Sequence, residues 1–482
     1  MRIHIIAVSG TAMGSLAGLL VELGHRVSGS DVRFDPPMGP ALASWGVTCL
    51  TGFAVEHLDP APDLVVVGNV CRRDNPEVVA AQERGLPLTH VAGALQRFVL
   101  QGASPLVVAG THGKTTTSAL SAWLLERAGL LPGFFIGGMP GNFDTSFRAP
   151  RGKKSLTQMR SPPFVIEGDE YDTAFFEKTA KFLHYRADVA ILTSIEHDHI
   201  DIYPTPEAYE EAFRRFVEGI SPSGLIVANA ADRTVVRLVL EAARARISYF
   251  AIEGEDTGGI AAHFAAAPAA PQGPGIAFDL FAGGVACGRH YLSAPGIHNL
   301  KNALAALAAS VEGYGARLAD AGAALADFRG VRRRQELLFE VGGVRVYDDF
   351  AHHPTAVGAT LAALRRHHPN GRLLAVFEPR SATACRKLHQ ESYPASFDAA
   401  DTVVIAPLGR TGLADGERLD RDELRRALEA RGRAAATPDD VDAIVAYVVE
   451  ASGPGDTIAV LSNGAFDGIH EKLARALEAR AR

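Results

Sequence analysis

The sequence predicts an α/β protein of three domains. Short apolar runs of strand length alternate with helical segments along the whole chain, the pattern of parallel sheets crossed by helices. Glycine turns follow several of these runs, and 482 residues exceed what one hydrophobic core usually supports. The three blocks are expected at 1–102, 103–329 and 330–482.

Composition narrows the class. Apolar residues make up 47% and charged residues 21%, as in ordinary soluble domains. A net charge of −7 disfavours nucleic acid or an anionic membrane as a partner, so Arg332-Arg333-Arg334 reads as a local feature. Cys49, Cys71, Cys287 and Cys385 are far apart, which fits reduced thiols in a cytoplasmic protein and argues against a disulfide scaffold or thiolate zinc site. Ile5–Leu20 resembles a signal-peptide core, but glycines interrupt it and no cleavage site follows. No apolar run is long enough for a transmembrane span.

In the first block, Ile3–Val8, Gly24–Gly29 and Leu64–Val67 read as buried strands. Ser9–Gly14 reads as a turn, followed by a helix to Leu23. The spacing Gly10-x-x-x-Gly14 admits a diphosphate but is not the dinucleotide fingerprint G-x-G-x-x-G, and plain packing of glycine turns explains it almost as well. Ser30 and Asp31 end the second strand, where a ribose-contacting acid would sit.

The second block carries the most informative stretch, Gly110-Thr111-His112-Gly113-Lys114-Thr115-Thr116. It lies between the apolar run Leu106–Ala109 and a helical pattern with Ala119, Leu120, Trp123 and Leu124 on one face. Two glycines turn backbone N–H groups toward an anion, and a helix N-terminus adds more donors and the positive dipole end. Lys114 supplies a cation for outer phosphates and Thr115 a hydroxyl for Mg²⁺. Two acid-rich turns follow, Glu167-Gly-Asp-Glu-Tyr-Asp172 and Glu196-His-Asp-His-Ile-Asp201, both after predicted strands. Mg²⁺ takes hard oxygens and tolerates an imidazole, which singles out Glu167 and His199, with Asp169, Glu170 and Asp198 nearby. A zinc site at His197 and His199 finds no third ligand of fitting spacing. Further along, His298-Asn299-Leu-Lys-Asn302 opens a helix, and its carboxamides suit an adenine edge or a cap. Arg151–Pro163 reads as a basic mobile loop and Ala261–Gly275 as an irregular excursion.

The third block reads as strands Val344–Tyr347, Leu373–Phe377, Thr402–Ala406 and Thr457–Leu461 with helices between, such as Arg421–Arg431. Three turns at strand ends carry chemistry. Asp348-Asp349-Phe-Ala-His352-His353-Pro354 suits a nucleotide ribose or a transferred proton. Glu378-Pro-Arg380-Ser381 offers a planar fork for a carboxylate or phosphate, and Ser462-Asn463-Gly-Ala-Phe466 a cradle of backbone N–H groups and the Ser462 hydroxyl for a carboxylate. Each is as readily a structural cap.

In their order along nearly the whole chain, these motifs resemble the Mur ligase family, ATP-dependent amide-forming enzymes of bacterial cell-wall precursor synthesis. The resemblance implies a Rossmann-like UDP-binding domain, a central phosphate-loop domain with a parallel sheet, and a Rossmann-like C-terminal domain that carries the peptide. It implies ATP contacts from Gly110 to Thr116 and from Asn299, Asn302, Arg334 and Asp349, with Mg²⁺ on Thr115, Glu167 and His199. It implies contacts to UDP-N-acetylmuramate and its partner from Gly10, Met13, Gly14, Ser30, Asp31, Asn69, Arg380, Ser462 and Asn463, with Lys114, Glu167, His199 and His352 in the chemistry. The opening glycine turn and Gly29-Ser-Asp31 point to the branch acting on UDP-N-acetylmuramate. One member of that branch adds L-alanine. Another attaches the recycled tripeptide L-Ala-γ-D-Glu-meso-diaminopimelate, and Asp169-Glu-Tyr-Asp-Thr-Ala-Phe-Phe176 is closer to it, since the alanine-adding member typically has Ser at the Tyr171 position. Gly168 departs from the usual alanine. Glu210–Phe216 holds Arg214 and Arg215 and no lysine, so no carbamoylated lysine is expected. A monomer or weak homo-oligomer is expected. A nicotinamide oxidoreductase or a regulatory ATP-binding protein are the rivals of other classes.

Overall fold

The computed structural model describes residues 1–151, 161–269, 274–410, 412–414 and 416–481. Three large sheets follow one another along the chain, besides a two-stranded hairpin of Asp172–Ala174 and Glu177–Ala180. The first has five parallel strands in the order Thr48–Thr51, Arg26–Asp31, Arg2–Ile6, Leu64–Val67, Leu88–Thr89. Its central strands are nearly continuous apolar runs because helices cover both faces, as Leu64–Val67 shows by being buried throughout.

The second sheet has ten strands. At its centre Pro163–Gly168, Ser104–Ala109, Val189–Leu192 and Leu225–Asn229 pair in parallel and deliver their carboxyl ends to one edge. The expected parallel sheet is therefore mixed. Phe264–Pro268, Ile276–Ala282 and Val285–Leu292 form an antiparallel extension, and Phe147–Arg148 pairs antiparallel at the opposite edge. Phe264–Pro268 corrects the reading of 261–275 as irregular: its alternation of buried and half-buried residues is a strand period carried by alanines, which give little hydrophobic contrast. Residues 270–273, and 152–160 of the expected basic loop, lie outside the described residues.

The third sheet has six strands in the order Glu336–Val341, Val344–Asp349, Thr457–Leu461, Leu373–Phe377, Thr402–Ile405, Ala434–Ala436. All pair in parallel except the first, an antiparallel edge joined to the second by a tight turn. Between the second and third sheets the chain passes through 329–335, where Arg333 (φ 60°) and Gln335 (φ 49°) are left-handed. Among the described residues no helix is long and apolar enough to cross a membrane.

One expectation in the first block needs correction. The helix begins at Thr11, so Gly14 lies inside it rather than in a turn. A Cβ on Gly14 would stand 2.3 Å from the Met38 sulfur, so this glycine serves close packing.

Candidate active site

The phosphate loop starts where the strand Ser104–Ala109 ends, and the helix Lys114–Arg127 follows it. Gly113 precedes that helix in the left-handed conformation (φ 80°) and supplies no side-chain cap, which leaves the first-turn N–H groups free for an anion. A Cβ there would also meet Asn302 Oδ1 at 2.5 Å, so the glycine allows the asparagine to reach the loop. The loop is clamped from the neighbouring strand end: Thr193 Oγ1 donates to His112 O (2.6 Å) and Thr111 Oγ1 to Glu196 O (2.9 Å).

The two acid turns meet at Lys114. Its ammonium donates to Gly110 O (2.6 Å) and to both oxygens of Glu170 (3.0 and 2.9 Å). Glu170 is fully buried and also holds His199 Nε2 at 3.0 Å. Thr115 Oγ1 donates to Glu167 Oε2 (3.1 Å), and Gly137 N–H to Glu167 Oε1 (2.6 Å). Glu170, a residue the sequence reading had placed only nearby, thus joins Lys114 to His199, while Thr115, the next residue after Lys114, holds Glu167. Tyr171, the neighbour of Glu170, packs its ring 4.2 Å from that of His199.

Charges in this cluster are strongly coupled. Burial works against ionising Glu170, yet Lys114 and His199 outweigh it and hold the carboxyl down at about 2. Burial likewise opposes the charge on Lys114, and Glu170 and Asp169 raise its pKa regardless. For His199, burial lowers while Glu170 and Asp198 raise, with a net upward shift. Glu167 is the exception. Burial and the charge of Asp169 push it up to about 7, so a buried carboxyl with a hydroxyl and an imidazole in the same cluster lacks a full cationic partner. Hard oxygens of this kind fit Mg²⁺.

The third sheet supplies the other wall. A cleft of about 340 Å³ runs between the loop and the helix Pro354–His367, bounded among others by Thr116, Asn229, Asn299, Asn302, Asp349 and Thr355. Asn302 Nδ2 donates to Asn299 Oδ1 (3.3 Å), and Asn299 Nδ2 to Pro295 O (2.7 Å). Arg334 lies over the Phe350 ring (4.8 Å) and extends to Thr115 Oγ1 (3.4 Å). Asp349 is tied to Gln335 N–H (2.7 Å) and Ala351 N–H (2.8 Å). His352 donates from Nδ1 to Phe350 O (3.0 Å), which leaves the lone pair on Nε2, and burial lowers its pKa. Closure across the domains is visible at Glu196, whose Oε2 accepts from His112 Nε2 (3.0 Å) and from Thr355 Oγ1 (2.7 Å).

Arg380 and its turn sit at the carboxyl ends of the third sheet. Arg380 donates to Glu378 Oε1 (3.2 Å) and lies across Gly464, where a Cβ would strike its Cδ at 2.3 Å. Its side chain remains 44% exposed, enough to face a ligand. Asn463 keeps a buried Oδ1 with no partner. Ser462 differs from the reading of its hydroxyl as a carboxylate donor: it is fully buried and donates to Glu378, so it braces Arg380 from behind.

In the first domain the expected contacts divide. Gly10 and Asn69 are exposed at the carboxyl ends of the strands, and Asp31 accepts the Ser9 N–H (2.8 Å) across the turn. Ser30 is turned inward, fully buried and donating to Glu77 Oε2 (2.5 Å), and Met13 is part of the hydrophobic core beneath the turn. Glu77, which the sequence reading missed, also takes His57 Nδ1 (2.6 Å) and Ala54 N–H (3.2 Å). Only its place in the first turn of a helix capped by Asn75 hinted at a role.

A fold of three α/β domains around an uncapped phosphate loop, with a lysine, two acid turns and a third-domain wall, defines an ATP-dependent ligase. Family models agree along the chain: the Mur ligase family catalytic domain matches residues 2–102, the Mur ligase middle domain 108–310, and the Mur ligase glutamate ligase domain 333–464. The chain is 39% identical to the UDP-N-acetylmuramate–L-alanyl-γ-D-glutamyl-meso-2,6-diaminoheptandioate ligase of Escherichia coli strain K12, over 100% of this chain and 99% of that one. It is 36% identical to the UDP-N-acetylmuramate–L-alanine ligase of Roseiflexus castenholzii, over 97% and 95% of the two chains. The crystal structure of a murein peptide ligase from Psychrobacter arcticus superposes with a TM-score of 0.74 at 35% identity, covering 99% of both chains. The chain belongs to the Mur ligase family.

Proposed function

We propose that this chain joins UDP-N-acetylmuramate to the tripeptide L-Ala-γ-D-Glu-meso-diaminopimelate, forming an amide at the expense of ATP in the cytoplasm. The carrying observation is the single cluster in which Lys114, Thr115, Glu167, Glu170 and His199 surround an uncapped helix N-terminus, with Arg334 and Asp349 of the third domain closing over it. The domains are taken as 1–102 for the UDP-sugar, 103–329 for ATP and 330–482 for the peptide.

A carboxylate is a poor electrophile, so the lactyl carboxylate takes the γ-phosphoryl group of ATP with release of ADP, and the amine then attacks the acyl phosphate and expels inorganic phosphate as the amide forms. The phosphate loop binds the phosphates through its free N–H groups, and Lys114 compensates charge that grows on the transferred phosphoryl oxygens. Thr115, Glu167 and His199 would hold Mg²⁺, which when bound adds positive charge beside those oxygens. Arg334 orients from the opposite wall, and Asn299 and Asn302 offer amide edges to the base. His352, with its lone pair on Nε2, accepts a proton from the peptide's ammonium and so frees the amine to attack. Arg380, braced by Glu378, grips a peptide carboxylate. Closure of the third domain through Glu196 and Thr355 keeps water from the acyl phosphate.

Likeness across both full lengths to the Escherichia coli ligase supports the tripeptide over L-alanine. The test offers the pure protein ATP, Mg²⁺ and UDP-N-acetylmuramate with either L-alanine or the tripeptide, and follows ADP and product mass. Product with the tripeptide alone is expected, and product with L-alanine alone overturns the assignment.

A further inference from the structure

A second cluster of metal-ligating groups lies beside the proposed Mg²⁺ ligands, where the third domain closes on the phosphate loop. His112 of the phosphate loop, Glu196 of the second acid turn and His353 of the third domain bring their ligand atoms within 4.8 Å of one another. His112 Nε2 is 3.0 Å and His353 Nδ1 3.5 Å from the same oxygen, Glu196 Oε2. Donors bound tetrahedrally at about 2.0–2.1 Å from an ion are about 3.3–3.4 Å apart, so little movement is needed. His389 packs edge-on against His353, with ring centroids 4.5 Å apart, and its buried Nε2 has no partner.

We infer that His112, Glu196 and His353, with His389 beside them, form a site for a borderline divalent transition ion such as Zn²⁺, separate from the hard-oxygen Mg²⁺ site. The convergence of the three donor atoms and the unpartnered His389 Nε2 beside them suit an ion. His353 Nδ1 accepts the Thr355 N–H (3.3 Å) as the cap of its helix, so it bears a lone pair rather than a proton. His353 Nδ1 stands 3.5 Å from Glu196 Oε2, a spacing that an ion between the donors would close. Two or three neutral imidazoles and one carboxylate are the donor set of zinc rather than magnesium. Because the donors come from two domains, the ion would fasten the third domain onto the phosphate loop.

A similar trio, His90, Glu177 and His184, serves as the internal control. There His90 Nδ1 accepts the Gly93 N–H (3.2 Å), which puts the proton on Nε2, the atom that faces Glu177 (3.1 Å). That contact is a hydrogen bond, as is His112–Glu196, but in this trio the remaining imidazole is satisfied too, His184 Nε2 pairing with Thr179 Oγ1 (2.9 Å).

The test uses full-length, nucleotide-free protein in excess Mg²⁺, titrated with Zn²⁺ by calorimetry and with Co²⁺ by visible absorption. One ion per chain is expected, with the intense bands of low-coordinate Co²⁺. Binding weakens at least tenfold in His389→Phe and in Glu196→Gln, and is unchanged in His184→Phe; circular dichroism and thermal unfolding check that each variant is folded. Equal binding by wild type and both site variants, loss in His184→Phe instead, or no binding in excess Mg²⁺ overturns the site.

Discussion

Glu170 decides more at the residue scale than any residue the sequence singled out. A fully buried carboxylate is tolerable only when paired, and here Lys114 takes both of its oxygens while His199 takes one of them again. Removing it strands a buried ammonium. Glu170→Ala is expected to destabilise the protein by about 3–5 kcal/mol in urea unfolding and to abolish ADP release. Lys114→Met leaves Glu170 with His199 as a remaining partner, so it is also expected to destabilise, by less, while kcat/KM falls about 10²–10³-fold, the usual loss for one preorganised charge donor. Lys114 was legible in the sequence because Gly-Lys-Thr in a strand–turn–helix setting has a mechanism attached. Glu170 was not, because adjacent acids in one turn look alike until the backbone aims one of them inward.

His298 is held down at about 4 by burial, against 6.5 for the free side chain, and its Nε2 stands 3.0 Å from Gln335 Nε2. Below pH 6.5 the unfolded chain takes up a proton that the folded one refuses down to about pH 4, so this residue subtracts stability as pH falls through that window. His298→Gln is expected to flatten the decline in unfolding free energy between pH 6.5 and 4.5, measured by urea denaturation at several pH values. An unchanged slope would mean that the ring is protonated in place.

At the element scale the parallel strands at the centre of each sheet were legible, because strands buried on both faces are uninterrupted apolar runs. Leu64–Val67, Leu373–Phe377 and Thr457–Leu461 fall where the sequence put them. The antiparallel strands escaped. Val285–Leu292 is exposed along most of one face, and Phe264–Pro268 consists largely of alanine, so neither offers contrast between its faces. Gly14 failed for a different reason: spacing cannot tell a turn glycine from one that admits a neighbouring helix. Gly113 is the converse case, with a left-handed φ of 80° and Asn302 Oδ1 at 2.5 Å from any added Cβ. Gly113→Ala combines a conformational cost of about 1–2 kcal/mol with displacement of Asn302. ATP affinity by calorimetry is expected to fall at least tenfold with little change in the melting temperature of the first domain's sheet.

At the scale of the whole molecule, the domains are joined by unequal contacts. The second and third meet through single polar bonds around Glu196 and through the left-handed passage at Arg333 and Gln335, a junction suited to opening and closing. The first and second are bound by packing. Phe175, next to the short hairpin of Asp172–Ala174 and Glu177–Ala180, enters the apolar cluster of Ile6, Leu58 and Val65 in the first domain. Beside it His90 holds Glu177, and Ser15 and Ser146 share a buried hydrogen bond of 2.8 Å. The hairpin continues directly from the first acid turn, so the UDP-sugar domain is registered against the same backbone that aims Glu167 and Glu170. Phe175→Ala should loosen this registration without touching the phosphate loop. The lost burial of a half-exposed aromatic amounts to about 1–2 kcal/mol. ATP affinity is expected to stay within about twofold of wild type, while KM for UDP-N-acetylmuramate rises about 5–30-fold, the range those energies convert to. Equal losses in both would show that the hairpin supports the catalytic turn itself rather than the placement of the sugar domain, and no loss in either would remove the packed interface from the alignment of the two substrates.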